Sequence, residues 1–316
     1  MKSFAKNGLK GLLFVVILIG LMMAASFILV PRDNTKADWK HDAAANGILG
    51  EPKDSIDVLY LGDSEVHSSI VPLQIWDQYG YTGYCCSTNK QRLWYTLEFV
   101  LEAFKTQKPK IVVMETNNIM HYFSVEDAIL HSAEIALPVL KYHDRWKNLD
   151  FSDIGKQPAY TYTDPDKGYY YSDLTDAATA DKYMEKTDKE AHVPMLNKIY
   201  MKVIASICEK NGAKLVFLST PSTKNWNTAK HNSMEKFAKS FGAEYVDLNL
   251  KADELQIDWD KDTRDKGDHM NYSGAVKVTN YIGKYLKETG ILKSHKGDRA
   301  YESWNKAFRA FQEKVH

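Results

Sequence analysis

Five short apolar runs, each parted from the next by a stretch of helical periodicity or turn residues, leave this chain few ways to bury its hydrophobic side chains. The runs are Ile56-Asp57-Val58-Leu59-Tyr60-Leu61, which ends at Gly62, then Tyr84-Cys85-Cys86, Ile111-Val112-Val113-Met114, Leu215-Val216-Phe217-Leu218 and Tyr245-Val246-Asp247-Leu248. Each is short, rich in β-formers and almost continuously apolar, which suits strands covered on both faces. Trp94, Leu97, Val100, Leu101 and Phe104 repeat at helical spacing before the third run, and Leu196, Ile199, Tyr200, Val203, Ile204 and Ile207 before the fourth. Phe237 and Phe241 mark a helix before the fifth, and Val276, Tyr281, Ile282 and Tyr285 one after it. Strands alternating with helices predict an α/β protein, a doubly wound three-layer sandwich around a central parallel sheet. In such sheets the chemistry sits at the carboxyl ends of the strands.

Two stretches stand outside that rhythm. Residues 119–190 form an insertion far longer than a crossover needs, with Tyr160, Tyr162 and Tyr169-Tyr170-Tyr171 around Asp164-Pro165 and Gly168. An insertion there overhangs the active face as a lid or acceptor-binding surface, or else is an outer shell packing its tyrosines on itself. Near the C-terminus Tyr301, Trp304, Phe308 and Phe311 share one helical face, which reads as a helix docked on its own domain or as a partner site.

The N-terminus bears on the compartment. From Gly11 to Val30 no residue is charged, and a run of about 20 apolar residues crosses a bilayer as a helix. Lys2, Lys6 and Lys10 precede it, so residues 1–10 are expected in the cytoplasm and everything after Val30 outside. The run exceeds the ~7–15 residues of a signal-peptide core, and Met22-Met23-Ala24-Ala25-Ser26 is a poor cleavage site. An uncleaved single-pass anchor is the expectation and a cleaved signal the alternative; both place the rest outside the cytoplasm. Residues 31–54, mostly polar and broken by Pro31, Gly47, Gly50 and Pro52, read as a juxtamembrane linker before a domain over 55–316.

Lys+Arg and Asp+Glu are both 41, for a formal net charge of zero. No basic stripe with interleaved aromatics appears, which argues against a nucleic-acid partner. Cys85, Cys86 and Cys208 show neither a disulfide framework nor zinc spacing and read as small buried hydrophobes. With no His-Glu-x-x-His, Cys-x-x-Cys or Gly-rich phosphate loop, no metal or organic cofactor is implied.

The first run leads straight into Gly62-Asp63-Ser64. A Ser there presents its hydroxyl at the mouth of the sheet, although the same tripeptide is also an ordinary strand-to-helix turn with a cap. A Ser hydroxyl needs a base to become a nucleophile. His269, in Asp265-Lys266-Gly267-Asp268-His269-Met270-Asn271, follows the last run and leads into the last helix, so it too belongs at the carboxyl edge. An acid must hold its ring, and both Asp265 and Asp268 qualify.

These residues together resemble the SGNH/GDSL hydrolase superfamily over most of residues 55–290, which implies a flavodoxin-like sheet. The family's nucleophile block is matched by Gly62-Asp63-Ser64. Its Gly-x-Asn-Asp block is matched by Glu115-Thr116-Asn117-Asn118, which keeps Asn117 and loses the Gly and the Asp. The resemblance implies an oxyanion hole from Asn117 and the Ser64 N–H, with Asn89 standing in for a second-block Gly that Cys86-Ser87-Thr88-Asn89 lacks. The family's Asp-x-x-His block has Lys266 at its Asp position; Asp265 is favoured as that Asp with one residue inserted, Asp268 being the alternative. The anchor and insertion are similar to the membrane-tethered SGNH branch, the teichoic-acid D-alanylation protein and partners of membrane-bound O-acyltransferases. Leu218-Ser219-Thr220-Pro221 and Asn225-Trp226 resemble that branch's substrate-side loop, so Trp226 is a candidate substrate contact, as are Tyr169 and Tyr170 of the insertion. The implied function is Ser-dependent acyl transfer, such as acetylation, to hydroxyls of an envelope polysaccharide or teichoic-acid-like polymer, beside a multi-spanning acyltransferase. Esterase or deacetylase chemistry shares the same first half-reaction, and a non-catalytic polysaccharide-binding accessory is the third reading.

Overall fold

The computed structural model describes residues 2–34, 42–149, 154 and 159–316. It divides the chain into two units, one of residues 1–41 with 124–161 and one of 42–123 with 162–316.

In the first unit, α1 (Lys2–Leu29) is a single helix over the apolar run, long and apolar enough to cross a membrane. The described part of 124–161 supplies α7 (Val125–Ala136), α8 (Val139–Tyr142) and a 3-10 turn over His143–Asn148. Ser124 and Asp127 start α7 with a reciprocal capping box, which satisfies two N–H groups that a helix end leaves open.

The second unit begins with α2 (Ala43–Asn46) and a 3-10 turn, Gly47–Gly50. Then follow β1 (Val58–Gly62), α3 (Ser64–Ser69), α4 (Pro72–Tyr79), β2 (Gly83–Ser87), α5 (Leu93–Thr106), β3 (Ile111–Glu115) and α6 (Asn117–Met120). After the first unit's segment come α9 (Met195–Lys210), β4 (Lys214–Ser219), α10 (Thr228–Ser240), β5 (Glu244–Asp247) and α11 (Ala252–Leu255). A two-stranded hairpin, β6 (Thr263–Arg264) and β7 (His269–Met270), leads into α12 (Tyr272–Glu288) and α13 (Glu302–Val315).

Strands β1 to β5 pair in parallel in the order β2-β1-β3-β4-β5. This is the doubly wound α/β fold, with its topological switch between β1 and β3, where a crevice opens at the carboxyl ends. Alternation along the strands serves two layers. Val58, Tyr60, Ile111, Val113, Val216 and Leu218 join one core with α3, α4 and α12. On the other side α5 packs on α9 and α9 on β4, and Phe217 meets Phe237 of α10. The buried face of α9 is Asn197, Tyr200, Met201, Ile204 and Cys208. Ile199 and Val203, which the periodicity grouped with that face, are exposed, because their spacing fits two overlapping stripes. The aromatic face of α13 docks on its own unit, with Trp304 against Trp76 and Phe311 against Tyr169. All three thiols are free and buried.

Residues 43–51, in the segment read as linker, are packed. Ala45, Ile48, Leu49 and Glu51 are buried, and the Tyr84 hydroxyl donates to the Ala44 carbonyl at 2.7 Å. Enough apolar side chains stand among the glycines there to cover edge strand β2. The loop 163–168 closes the same edge. Cys85 N–H donates to the Lys167 carbonyl at 3.0 Å, and the Lys167 ammonium, over the Trp304 ring, meets Glu51 at 2.7 Å with side-chain exposures of 4% and 1%.

A pair so fully removed from water is costly to break, since the partner left behind keeps its desolvation penalty. Lys167→Met is expected to destabilise the domain by about 3–5 kcal/mol in urea melts. Adding Glu51→Gln should restore part of that loss.

Candidate active site

The strand-to-helix turn after β1 is built for close approach. A Cβ on Gly62 would lie 2.6 Å from Val66 Cγ2 and 2.7 Å from Glu115 Cβ, so only Gly lets β1 end this near β3. Asp63 then caps α3, its Oδ1 accepting from Glu65 N–H at 3.0 Å. Ser64 is the first residue of that helix, where N–H groups have no partner within the helix.

His269 arrives on the β6–β7 hairpin. Arg264 and His269 are directly paired across it, and the turn between them has positive φ at Asp265 (57°), Lys266 (58°) and Gly267 (81°). Such a tight reversal returns residue i+4 beside residue i. The His269 Nδ1–H thus donates to Asp265 Oδ2 at 3.0 Å, and Nε2 accepts from the Ser64 hydroxyl at 2.9 Å. Asp268 Oδ2 lies 4.0 Å from Nδ1, beyond hydrogen-bond reach, and its carboxylate instead accepts from Asn225 Nδ2. The turn is gripped by the loop after β4. Ser222 Oγ donates to the Asp268 carbonyl at 2.8 Å, Thr223 N–H to the Gly267 carbonyl at 3.0 Å, and Lys224 to the Asp265 carbonyl.

Ser64 and His269 open into a cleft of about 880 Å³. Asn89, Tyr169 and Tyr170 also line it; Tyr170 is 59% exposed, whereas Tyr169 is buried. Asn117 and Trp226 are placed differently. The Asn117 Nδ2 donates to Asp63 Oδ2 at 3.0 Å and faces His121 Nε2 at 3.3 Å, and its Oδ1 accepts from Lys230 at 3.2 Å. Its amide therefore joins β1 to β3 beneath the cleft, with its donors spent on those partners. Trp226 is buried, its Nε1–H donating to Asp247 at 2.9 Å, and it lies outside the cleft lining. The insertion divides: its residues 162–171 contribute cleft wall, while 124–161 belong to the first unit.

Several residues of the site had no place in the sequence reading. His67, one helical turn beyond Ser64, lines the cleft and contacts Ser87 Oγ at 3.2 Å. Burial, with His269 and Arg264 nearby, brings its pKa down to about 4, so its ring is neutral at physiological pH. The i+3 spacing from Ser64 was a signal that could have found it. Arg264 donates to Asp265 Oδ2 at 3.2 Å and to Ser68 Oγ at 2.7 Å, and its guanidinium lies over Tyr170. It steadies an acid whose side chain is 51% exposed.

Behind Ser64 lies a buried acidic group, Asp63, Glu65 and Glu115. Burial, then the neighbouring acids, holds Glu65 and Glu115 well above the usual carboxyl range. Lys230, its own pKa lowered by burial, faces the attraction of all three. One ammonium faces three carboxyls, and burial with their mutual repulsion pushes Glu65 and Glu115 toward their protonated form. Among the described residues, Glu65, Asp268 and His269 could each bring a ligand atom within 4.8 Å of the others. Both His269 nitrogens are already engaged by Ser64 and Asp265, which leaves this group no metal reading.

No protein-family model matches the chain, and no curated protein matches it. Among solved structures it is similar to a candidate SGNH hydrolase from Slackia heliotrinireducens, at 12% identity and TM-score 0.43, covering 73% of this chain and 99% of that one. It is similar to a candidate acylhydrolase from Bacteroides fragilis, at 12% identity and TM-score 0.40, over 78% and 95% of the two chains. It is also similar to a lipase/acylhydrolase from Enterococcus faecalis, at 12% identity and TM-score 0.40, over 77% and 100%. The likeness is loose, and the functional reading rests on the chain's own side chains.

Two outcomes follow from this geometry. Asp265→Asn should lower kcat on an acyl ester by on the order of 10²–10⁴, and Asp268→Asn by less than about tenfold because it lacks the bond to Nδ1. Glu65→Gln should change stability in a pH-dependent way. The unfolded carboxyl ionises near its ordinary 4.5 while the folded one, held higher, keeps its proton, so the wild type loses stability as pH rises above that value. The melting-temperature gain of Glu65→Gln should be absent at about pH 4 and grow toward about pH 8.

Proposed function

We propose that this protein is a membrane-tethered serine acyl-transfer enzyme working outside the cytoplasm. The observation that carries the reading is the continuous chain Ser64–His269–Asp265, with links of 2.9 and 3.0 Å, at the mouth of an open cleft. His269 Nε2 takes the hydroxyl proton as Ser64 Oγ attacks an acyl carbonyl, and the imidazolium is held by Asp265. The Ser64 N–H, at the start of α3, is the donor best placed for the oxyanion, with Asn89 in the cleft wall as the second; Asn117 acts by holding Asp63. Collapse of the tetrahedral intermediate returns the proton to the leaving group and leaves an ester on Ser64. In the second half an acceptor hydroxyl gives its proton to His269, attacks that ester and leaves acylated, which restores Ser64.

The acceptor we propose is an envelope polysaccharide or teichoic-acid-like polymer, and the partner that hands over the acyl group a multi-spanning membrane-bound O-acyltransferase. The cleft supports a hydroxylated acceptor, because its lining offers a ring face in Tyr170 and hydrogen-bonding groups of both signs in Asn89, Lys90, Asp164 and Asp166. The tether supports a donor in the membrane: α1 as an uncleaved span with Lys2, Lys6 and Lys10 inside. Water in place of the acceptor would make the same site an esterase.

The test begins with turnover of a chromogenic acetyl ester and covalent capture of Ser64 by a fluorophosphonate. Ser64→Ala should lose both while keeping its melting temperature, and undiminished turnover in that variant would overturn the assignment. Supplying a soluble polyol acceptor should then divert acyl groups from water to the acceptor if transfer is the native reaction.

A further inference from the structure

The first unit carries an apolar surface at a definite level of α1. α8 lies along the outer turns of that helix. Val139 N–H donates to Ser26 Oγ at 3.0 Å, Arg145 Nη1 donates to the Leu29 carbonyl at 2.6 Å, and Leu140 and His143 share a recess with Leu21, Met22 and Ala25. α7 packs in turn on α8. On α7, α8 and the 3-10 turn after them Val125, Ile129, Leu140 and Trp146 are exposed, Ile129 and Trp146 each to 66%. Large apolar side chains gathered like this on one small body mark a contact surface.

The geometry of α1 says what meets it. Lys10 is the last charge before the apolar run, and a hydrocarbon core of about 30 Å takes about 20 residues, so the core that starts at Gly11 ends near Val30. At about 1.5 Å per residue, Ala25 lies roughly 7 Å and Leu21 roughly 13 Å inside that outer boundary. Side chains packed against them lie at the same depth, below the headgroups. An interfacial helix buries its apolar side about 5–10 Å deep, which matches the level of Ala25; Leu21 marks the deeper limit of the recess. The 3-10 turn adds Trp146 beside the Asp144–Lys147 ion pair, the amphipathic mix that settles at a membrane surface.

We propose that residues 125–148 form a second membrane contact, a helical pair lodged in the outer leaflet, with Val125, Ile129 and Leu140 toward the acyl chains and Trp146 at headgroup level. This rests on reading α1 as a membrane span. α7 carries Glu126, Asp127 and Glu134 and no lysine or arginine, while Lys141, Arg145 and Lys147 follow on α8 and the 3-10 turn, so a zwitterionic lipid reads the apolar burial by itself.

The full chain, reconstituted in phosphatidylcholine vesicles, tests this directly. The native thiols are buried, so one added cysteine takes an environment-sensitive fluorophore: Ile129→Cys on α7, Leu18→Cys within α1, or Lys284→Cys on α12 as the solvent control. Nitroxide groups placed on the lipid acyl chains should quench Ile129→Cys and Leu18→Cys and leave Lys284→Cys bright. Quenching at Leu18→Cys without quenching at Ile129→Cys would overturn the second contact and leave the span standing. No quenching at either would remove the span and this inference together. A blue-shifted Ile129→Cys that lipid quenchers do not reach would assign the surface to a protein partner and overturn the lipid contact.

Discussion

Asp63 is the buried carboxyl on which the arrangement of the site depends. One of its oxygens caps the first turn of α3 and the other takes the Asn117 amide from the end of β3, with His121 3.4 Å away. A carboxyl removed from water needs these donors to be tolerated, and supplying them locks the carboxyl ends of β1 and β3 together at the switch point. Ser64 owes its position to that lock. It stands at the start of a helix whose direction Asp63 sets, over a crevice whose width Gly62 and Asn117 set. Glu65 and Glu115, pressed close behind, are pushed toward their protonated form by burial, with Lys230 offsetting part of the charge.

The base side of the site is held by a different kind of structure. A four-residue turn with three residues at positive φ is not a preferred conformation for Asp and Lys, so something must over-determine it. The loop after β4 does so, bonding three carbonyls of the turn and, through Asn225, joining Asp268 to Glu65. Asp265 gains a second donor in Arg264, which makes up for its exposure to water. Ser64, His269 and Asp265 thus come from the connections after β1 and β5, while those after β3 and β4 hold them in place.

The long insertion serves two ends. Its residues 162–171 bring aromatic and charged side chains to the cleft around Ser64, backed by α13 through the Tyr169–Phe311 contact. Residues 124–149 keep company with the outer turns of α1. One excursion of the chain thus contributes to both units, cleft wall in one and the α7–α8 segment beside α1 in the other.

Much was legible in the amino-acid sequence because it is written locally. Strands covered on both faces must be short and continuously apolar, helices must repeat, and a bilayer-length run of uncharged residues reads as a helix long and apolar enough to cross a membrane; Gly62-Asp63-Ser64 and His269 stand out by their positions at strand ends. Tertiary structure alone decided the rest. Asp265 and Asp268 are equally near His269 in sequence, and the turn's left-handed backbone determines which carboxylate meets Nδ1. Asn117 keeps its place in the motif, but burial beside Asp63 and Lys230 commits its amide to joining strands. Trp226 lies near a reactive loop in sequence, yet Asp247 draws its indole inward. Side-chain direction and desolvation depend on neighbours far away along the chain, and no local pattern specifies them.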